Sequence, residues 1–397
     1  MDIPFYSPDI TDEDIAEVVD TLKSGWITTG PKTALFEKKL SEYTETEYTV
    51  CLNSATAGLE FILRFLGIGE GDEVIVPAYT YTATASVVFH VGARAVMADC
   101  ASDSYEMDYG RLSDLITEKT KAVICVDLAG IISCTEKVFE AAELKKGLFK
   151  PNNGIQSALG RIAVIADAAH SLGAVRNSMI SGSIADFTSF SFHAVKNLTT
   201  AEGGAVTWRR GLNIEGKHIY QSMHIMSLHG QTKSSMDKIS GNWEYDVVSP
   251  YYKNNMTDMS AALGLSQLRR YTEILRKRHY LIEIYDNEFR DCGISLLRHV
   301  SDNFKSSGHL YFIGLRDKGE IYRNSFINKM AENGIKCNVH YKPLPLLSAY
   351  KNLGYDIKDY PNAYKMYANQ VTLPLFTSMT DDMTLYIAEN VKKLLNS

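Results

Sequence analysis

The sequence lacks closely spaced cysteine pairs and histidine clusters at metal-binding spacing. Its six cysteines are scattered, and several interrupt apolar runs such as YTVCLN (48–53) and KAVICVD (121–127). A thiol in such a run behaves as a small hydrophobic group. The pattern argues against a disulfide framework, and it predicts a protein of a reducing compartment that holds no metal.

Basic charge is not in excess either. The chain has 41 lysines and arginines against 47 aspartates and glutamates, which gives a net charge of −6. Nucleic acids attract proteins that carry surplus lysine and arginine, because binding neutralises the phosphates. The composition therefore gives no reason to expect a nucleic-acid partner.

Long hydrophobic runs are missing as well, since no apolar stretch approaches the ~20 residues that span a bilayer. The N-terminus, MDIPFYSPDITDEDI, is acidic and interrupted by prolines, unlike the basic start and apolar centre of a signal peptide. We therefore expect no membrane insertion and a cytoplasmic location.

The length of 397 residues exceeds what one compact core usually holds. Hydrophobic residues make up 45% and charged residues 22%, as is typical of globular proteins rather than disordered ones. We predict a large domain over 1–250 and a small C-terminal domain over 251–397. The first ~25 residues are candidates for packing on the small domain.

Short β-branched runs alternate with helical periodicity between about residue 45 and residue 210. This alternation predicts an α/β fold with a mostly parallel central sheet between helices, and ligands in such a fold gather at the carboxyl ends of the strands. The predicted strands are 48–53, 73–79, 94–100, 121–127, 161–169, 187–192 and 203–208, and the predicted helices are 55–67, 82–92 and 109–116.

The other segments follow different patterns. We interpret 131–160 as a surface excursion in which a helical piece precedes a polar loop at 149–160, and 211–257 as irregular. A long amphipathic stretch follows at 259–289. Predicted strands at 309–315 and 335–341 and a terminal helix near 381–395 then suggest a smaller α+β domain.

Two glycine-containing segments are candidates for anion binding. GIGEGDEV (67–74) precedes a strand, whereas a dinucleotide site needs its glycines after one, so a plain turn is the better interpretation. NSATAGL (53–59) follows a strand and opens a helix, where backbone N–H groups favour an anion. An ordinary helix cap by Ser54 explains this second segment equally well.

A carboxylate and an amine complete the pattern. Asp167 ends the apolar strand RIAVIAD, where a carboxylate is costly to bury unless it is paired. Lys196 follows 29 residues later in an apolar setting that lowers the pKa of an amine and makes it a nucleophile. Read singly, Asp167 is a turn cap and Lys196 a solvated cation. Together with the anion cradle, they match what pyridoxal 5′-phosphate (PLP) requires.

The motifs resemble, nearly from end to end, the DegT/DnrJ/StrS-type nucleotide-sugar aminotransferases. In family order they are GWITTGPKTALFEKKLSEY, NSATAGL, GDEVIVPAYTYTATAS, DAAHSLGA, SFHAVKNLTTAEGGA, NNMTDMSAALGLSQL, VHYKPL and TLPLF. The resemblance implies the PLP-dependent transferase fold of type I, the fold of aspartate aminotransferase.

The resemblance also implies a role for individual residues. Lys196 would bind the cofactor covalently and move protons, and Asp167 would pair with the pyridine nitrogen. The other cofactor contacts implied are the backbone of Ala55 and Thr56, the ring of Tyr81, His170 at the phenolic oxygen, the Ser191 hydroxyl, and Lys253 reaching the phosphate across a homodimer interface. Glu202, His193 and His340 would line the sugar site, although a packed histidine explains His193 equally well.

The implied reaction transfers an amino group from L-glutamate to a nucleotide-linked keto sugar, in surface-polysaccharide or amino-sugar biosynthesis. The form SFHxxKN…EGG around Lys196 resembles relatives that aminate C4, and we expect a UDP-linked 4-keto-6-deoxyhexose or 4-keto-pentose. Three alternatives stay open: amination at C3, a PLP-dependent sugar dehydratase, and a regulatory or binding protein that has kept the fold.

Overall fold

The computed structural model describes residues 1–232 and 244–396. Part of the predicted irregular region, at 233–243, lies outside the described residues. No helix in the part of the chain that is described is long and apolar enough to cross a membrane.

A seven-stranded sheet forms the centre of the molecule, with the strand order β1-β9-β8-β5-β4-β2-β3. Four neighbouring pairs, from β8 to β3, are parallel, and β9 is antiparallel to both β8 and β1. The strands are β1 (Thr49–Leu52), β2 (Glu73–Pro77), β3 (Arg94–Ala98), β4 (Thr120–Val126), β5 (Ala163–Asp167), β8 (Phe187–Ser191) and β9 (Gly204–Trp208). The expectation of a mostly parallel α/β sheet is confirmed.

The inner strands are mostly apolar because helices cover both faces of the sheet. All five residues of β2 and of β5 are buried, which explains why their sequences do not alternate. The helices of this part are α1 (Asp12–Ser24), α2 (Pro31–Thr44), α3 (Ala55–Phe65), α4 (Thr82–His90), α5 (Leu112–Leu115), α6 (Thr135–Leu144), α7 (Gly154–Leu159) and α8 (Gly216–Ser227).

A second core lies in the C-terminal part of the chain. It is built around the antiparallel sheet β10-β12-β13. The elements of the C-terminal part are α9 (Asp258–Arg269), α10 (Tyr271–Phe289), β10 (Ser295–Leu296), β12 (Tyr311–Gly314), α11 (Gly319–Glu332), α12 (Ser348–Asn352), α13 (Pro361–Asn369), β13 (Gln370–Leu373) and α14 (Asp381–Leu395). A third small sheet pairs β11 (Phe304–Lys305) with β6 (Val175–Arg176), and β6 with β7 (Met179–Ile180).

The N-terminal segment packs on elements from the C-terminal part. Ile3 is buried in the second core and forms a parallel bridge with Ile335. On α1, the buried carboxylate of Asp14 accepts hydrogen bonds from Gln267 and Arg270. The division into domains at residue 250 stays a prediction.

Several sequence-based expectations for single elements are wrong. The predicted loop at 149–160 contains α7, which Asn153 caps by accepting from the Gln156 backbone N–H at 2.9 Å. The predicted irregular region contains α8. The predicted strand at 335–341 is absent from the described chain and is replaced by single bridges at Ile335 and Asn338. The amphipathic stretch at 259–289 divides at Arg270 into α9 and α10.

Candidate active site

The N-terminus of α3 lies at the carboxyl edge of the central sheet. Ser54 caps the helix, because its hydroxyl accepts from the Ala57 backbone N–H at 3.1 Å. This cap leaves the backbone N–H groups of Ala55 and Thr56 at the open end of the helix, where an anion is favoured. The cap and the anion cradle, which the sequence left as alternatives, are therefore compatible.

Gly204 lets strand β9 approach this helix end closely. A Cβ atom at this position would lie 2.3 Å from the backbone carbon of Ser54 and 2.4 Å from the backbone nitrogen of Ala55. Because both atoms belong to the backbone, no side-chain movement relieves the clash. Glycine at 204 thus fixes the position of the helix N-terminus against the sheet.

Asp167 ends β5 at the same edge and is buried. The Thr84 hydroxyl donates to Oδ2 at 2.7 Å, and the Ala169 backbone N–H donates to Oδ1 at 3.3 Å. Burial raises the pKa of the Asp167 carboxyl, whereas these two hydrogen bonds and the charge of Lys196 act in the opposite direction. The carboxyl is held in one orientation beside a cation.

Lys196 lies on the turn after β8. Its backbone N–H donates to the His193 carbonyl at 2.9 Å. Among the described residues, Nζ has no hydrogen-bond or ion-pair partner. Loss of solvation lowers the pKa of Lys196 to about 8, and the Asp167 charge only partly offsets this effect. A substantial neutral fraction near neutral pH makes this amine a competent nucleophile.

His170 is buried between two hydrogen-bond partners. The Ala129 backbone N–H donates to Nδ1 at 3.2 Å, so the proton of the neutral ring is on Nε2, which lies 3.1 Å from the Tyr341 hydroxyl. Burial lowers the pKa of His170, and the charge of Lys196 lowers it further. His170 is therefore a neutral hydrogen-bond donor at its Nε2 atom.

The predicted sugar-site residues occupy one side of the same cavity. His193 Nε2 lies 3.6 Å from Glu202 Oε1, and both side chains are exposed to solvent. His340 is held by a 2.9 Å hydrogen bond between Nδ1 and the Thr372 hydroxyl, and burial lowers its pKa to about 3. Two adjustable side chains and one fixed neutral ring thus border the opening.

A cavity of about 360 Å³ brings the predicted site residues together. Its walls include Ala55, Thr56, Tyr81, Asp167, His170, Ser191, His193, Lys196, Glu202 and His340. Lys253 does not line this cavity; its amine donates to Asn255 Oδ1 at 2.7 Å. Its predicted role toward a neighbouring subunit stays a prediction.

Two residues of the site, Thr84 and Tyr341, are not predicted from the sequence. Thr84 orients Asp167 although 83 residues separate them, and Tyr341 reaches His170 across 171 residues. Both lie beside residues that were singled out, since Tyr341 follows His340 and Thr84 falls in PAYTYTAT with Tyr81. The position of Thr84 and Tyr341 within these motifs is the sequence feature that points to them.

The donor set fits PLP. The open N-terminus of α3, which lies close to Gly204, suits the phosphate. A buried carboxylate suits the pyridinium nitrogen, and an amine of lowered pKa suits the aldehyde carbon. All three groups belong to the walls of one cavity.

Comparison with known proteins decides the family. The model of the DegT/DnrJ/EryC1/StrS aminotransferase family matches residues 8–392. The chain belongs to this family. The expectation drawn from the motifs is confirmed, and the protein is an enzyme, a PLP-dependent aminotransferase.

Several known proteins are similar to this chain over nearly their full length. The putative sugar aminotransferase Spr1654 from Streptococcus pneumoniae, solved in PLP and PMP forms, is 52% identical with a TM-score of 0.97, covering 100% of this chain and 98–99% of that one. The spore coat polysaccharide biosynthesis protein SpsC of Bacillus subtilis is 35% identical, covering 99% of this chain and 97% of SpsC. The UDP-4-amino-4-deoxy-L-arabinose–oxoglutarate aminotransferase of Shewanella sediminis is 32% identical, covering 95% and 94%.

Proposed function

We propose that this aminotransferase moves the amino group of L-glutamate to C4 of a UDP-linked 4-keto sugar, a 6-deoxyhexose or a pentose, for polysaccharide or amino-sugar biosynthesis. The observation that carries the proposal is the single cavity shared by the Lys196 amine, the Asp167 carboxyl and the start of α3. The names of the relatives from Bacillus and Shewanella support the substrate class, the nucleotide and the position of the nitrogen.

The cofactor would be held by groups already oriented in the cavity. The backbone N–H groups of Ala55 and Thr56 and the Ser191 hydroxyl bind the phosphate, and Lys253 adds its charge from the neighbouring subunit of a homodimer. Tyr81 covers one face of the ring. The neutral His170 ring would donate from Nε2 to the phenolic oxygen, in place of its 3.1 Å contact with the Tyr341 hydroxyl.

When bound, PLP supplies an electron sink beside the carbon that gains or loses nitrogen. The Asp167 carboxylate holds a proton at the pyridine nitrogen, and Thr84 keeps the carboxylate in the required orientation. Lys196 accepts and returns the proton at the reacting carbon, because its lowered pKa makes both protonation states available near neutral pH. Asp167 thus stabilises the charge on the ring, and Lys196 transfers the proton.

The sugar would lie against the exposed pair His193 and Glu202 at the opening. Glu202 and His193 can hydrogen-bond sugar hydroxyl groups, since both side chains are exposed at the cavity and linked only by a 3.6 Å contact. His340, neutral over the physiological range and fixed by Thr372, offers a defined polar edge.

The amino donor and the acceptor are tested in two separate steps. Purified enzyme is first mixed with L-glutamate alone, and the visible absorption of the bound cofactor is followed. We expect conversion of the absorbing form and release of one equivalent of 2-oxoglutarate. The aminated enzyme is then offered UDP-linked 4-keto and 3-keto sugars, and NMR is expected to locate the new nitrogen at C4. Nitrogen at C3, or loss of water without amination, would refute the proposal.

A further inference from the structure

A second cavity, of about 230 Å³, adjoins the first. The two share five wall residues, His170, Val195, Lys196, His340 and Tyr341. Its other walls include Phe5 and Tyr6 of the N-terminal segment, Arg278 on α10, and Asn338. A molecule in this second cavity would therefore lie beside the Lys196 amine, in a space that the proposed phosphate contacts Ala55, Thr56 and Ser191 do not line.

Arg278 is a buried cation without a counter-ion. Its side chain is 2% exposed and, among the described residues, takes part in no ion pair. Nε donates to the Gly308 carbonyl at 2.7 Å, and Nη2 donates to the carbonyls of His309 and Leu375 at 2.6 and 3.0 Å. Within the part of the chain that is described, Nη1 has no hydrogen-bond partner. Burial lowers the pKa of Arg278 to about 10, so the guanidinium stays charged.

The surroundings of Arg278 favour a small anion. No aspartate or glutamate is among the described residues that line the second cavity. His309 is neutral, because burial and the nearby charges of Lys196 and Arg278 lower its pKa. Phe5, Leu373 and Leu375 add apolar surface suited to methylene groups. A buried charge that lacks a counter-ion is costly, and an incoming anion would relieve that cost.

We propose that the second cavity binds the amino donor, with one donor carboxylate on the Arg278 guanidinium. This inference rests on the proposed function, in which a small acidic amino acid supplies the nitrogen. A phosphate of the nucleotide sugar shares the anionic chemistry. The small volume and the single guanidinium fit a five-carbon dicarboxylate better than a nucleoside diphosphate.

The test places a negative charge in the second cavity. Asn338 lines it, and the Asn338 side chain accepts from the Val339 backbone N–H at 2.8 Å, a contact that an aspartate preserves. Asn338→Asp should raise the Kd of the holoenzyme for glutarate, a dicarboxylate without a reactive amine, by about tenfold or more, because like charges repel in a partly desolvated site. Calorimetric titration measures this Kd.

The matched control carries the same charge change elsewhere. Asn352→Asp, on the exposed end of α12 and outside both cavities, should bind glutarate like the wild type. Asn338→Asp should also raise the KM for glutamate by a similar factor, while its affinity for UDP stays unchanged. Equal glutarate affinity in Asn338→Asp and wild type would overturn the inference, as would weaker UDP binding in place of weaker glutarate binding.

Arg278 itself is tested second, because its replacement also removes three hydrogen bonds to backbone carbonyls. An Arg278→Gln variant with native circular dichroism should lose glutarate binding, and full retention would contradict the assignment. Failure of the proposed function looks different. Wild-type enzyme that binds glutarate but exchanges no nitrogen with glutamate would refute the donor reaction and leave the anion site standing.

Discussion

The chemistry of single residues depends on where the sheet places Asp167 and Lys196. The positions of Asp167 at the end of β5 and of Lys196 on the turn after β8 were predictable from the sequence, because an apolar run precedes each. The partners of Asp167 and His170 were not, since Thr84 and Tyr341 reach the site from distant parts of the chain. Local patterns carry no information about such long-range hydrogen bonds.

The lowered pKa of Lys196 can be tested without turnover. In cofactor-free protein, competitive acetylation followed by mass spectrometry should give Lys196 a pKa of about 8, with exposed lysines in the same sample as the reference. Burial disfavours the charged amine, and the negative Asp167 favours it. Asp167→Asn should therefore lower the pKa of Lys196 further. A pKa equal to that of the exposed lysines, or a rise in Asp167→Asn, would contradict the described electrostatics.

At the scale of elements, apolar patterns predicted all seven strands of the central sheet, and a capping signal predicted the start of one helix. The helix expected at 55–67 is α3, and Ser54 begins it as its type suggests. The run at 335–341 fails as a strand because the His340 backbone N–H donates to the Gln370 side chain at 3.0 Å instead of to a strand. The pairing partner, β13, was itself not predicted.

Two helix errors have identifiable causes. Helix α8 buries Ile219, Met223 and Met226, whose spacing is helical. The segments around α8 lack such spacing, and the whole region was therefore predicted to be irregular. The break at Arg270 arises from tertiary contacts, because its side chain binds Asp9 and Asp14 of the N-terminal segment. Periodicity within 259–289 contains no trace of those contacts.

Replacing Gly204 tests the contact between α3 and β9. Gly204→Ala puts a methyl group within 2.4 Å of backbone atoms of Ser54 and Ala55 and must displace the helix start. We expect the Kd for PLP, from fluorescence titration, to rise about tenfold or more, since overpacking a rigid contact costs 1–3 kcal/mol. Gly147→Ala, where an added Cβ meets nothing within 4 Å, is the matched control. Unchanged affinity in Gly204→Ala would show that the helix start does not hold the phosphate.

At the scale of the whole molecule, the fold and family followed from motif order, whereas the assembly stays a prediction. Lys253 is exposed and does not line the cavity of its own chain. Tyr81, at the cavity wall, is 58% exposed. Isolated apolar side chains on α1, such as Ile15 and Leu22, are exposed as well. These features agree with a homodimer in which each subunit completes the other's site.

Co-expression of two inactive variants tests the shared site. Lys196→Ala and Lys253→Ala should each be inactive or impaired, and a mixed dimer should regain one intact site if Lys253 serves the neighbouring subunit. Random pairing then restores about a quarter of wild-type activity, because half of the dimers are mixed. Lys196→Ala with Asp167→Ala is the control, since both changes damage the cavity of their own chain. Lack of restoration in the first pair would place Lys253 outside the neighbour's site.

We propose above all that Lys196 carries the cofactor. Borohydride reduction of the purified holoenzyme, followed by peptide mapping by mass spectrometry, tests it most directly. We expect one phosphopyridoxyl group per chain, on the peptide that contains SFHAVKNL and on Lys196 within it, and none in Lys196→Ala. Modification of a different lysine, or no cofactor mass on any peptide, would contradict it.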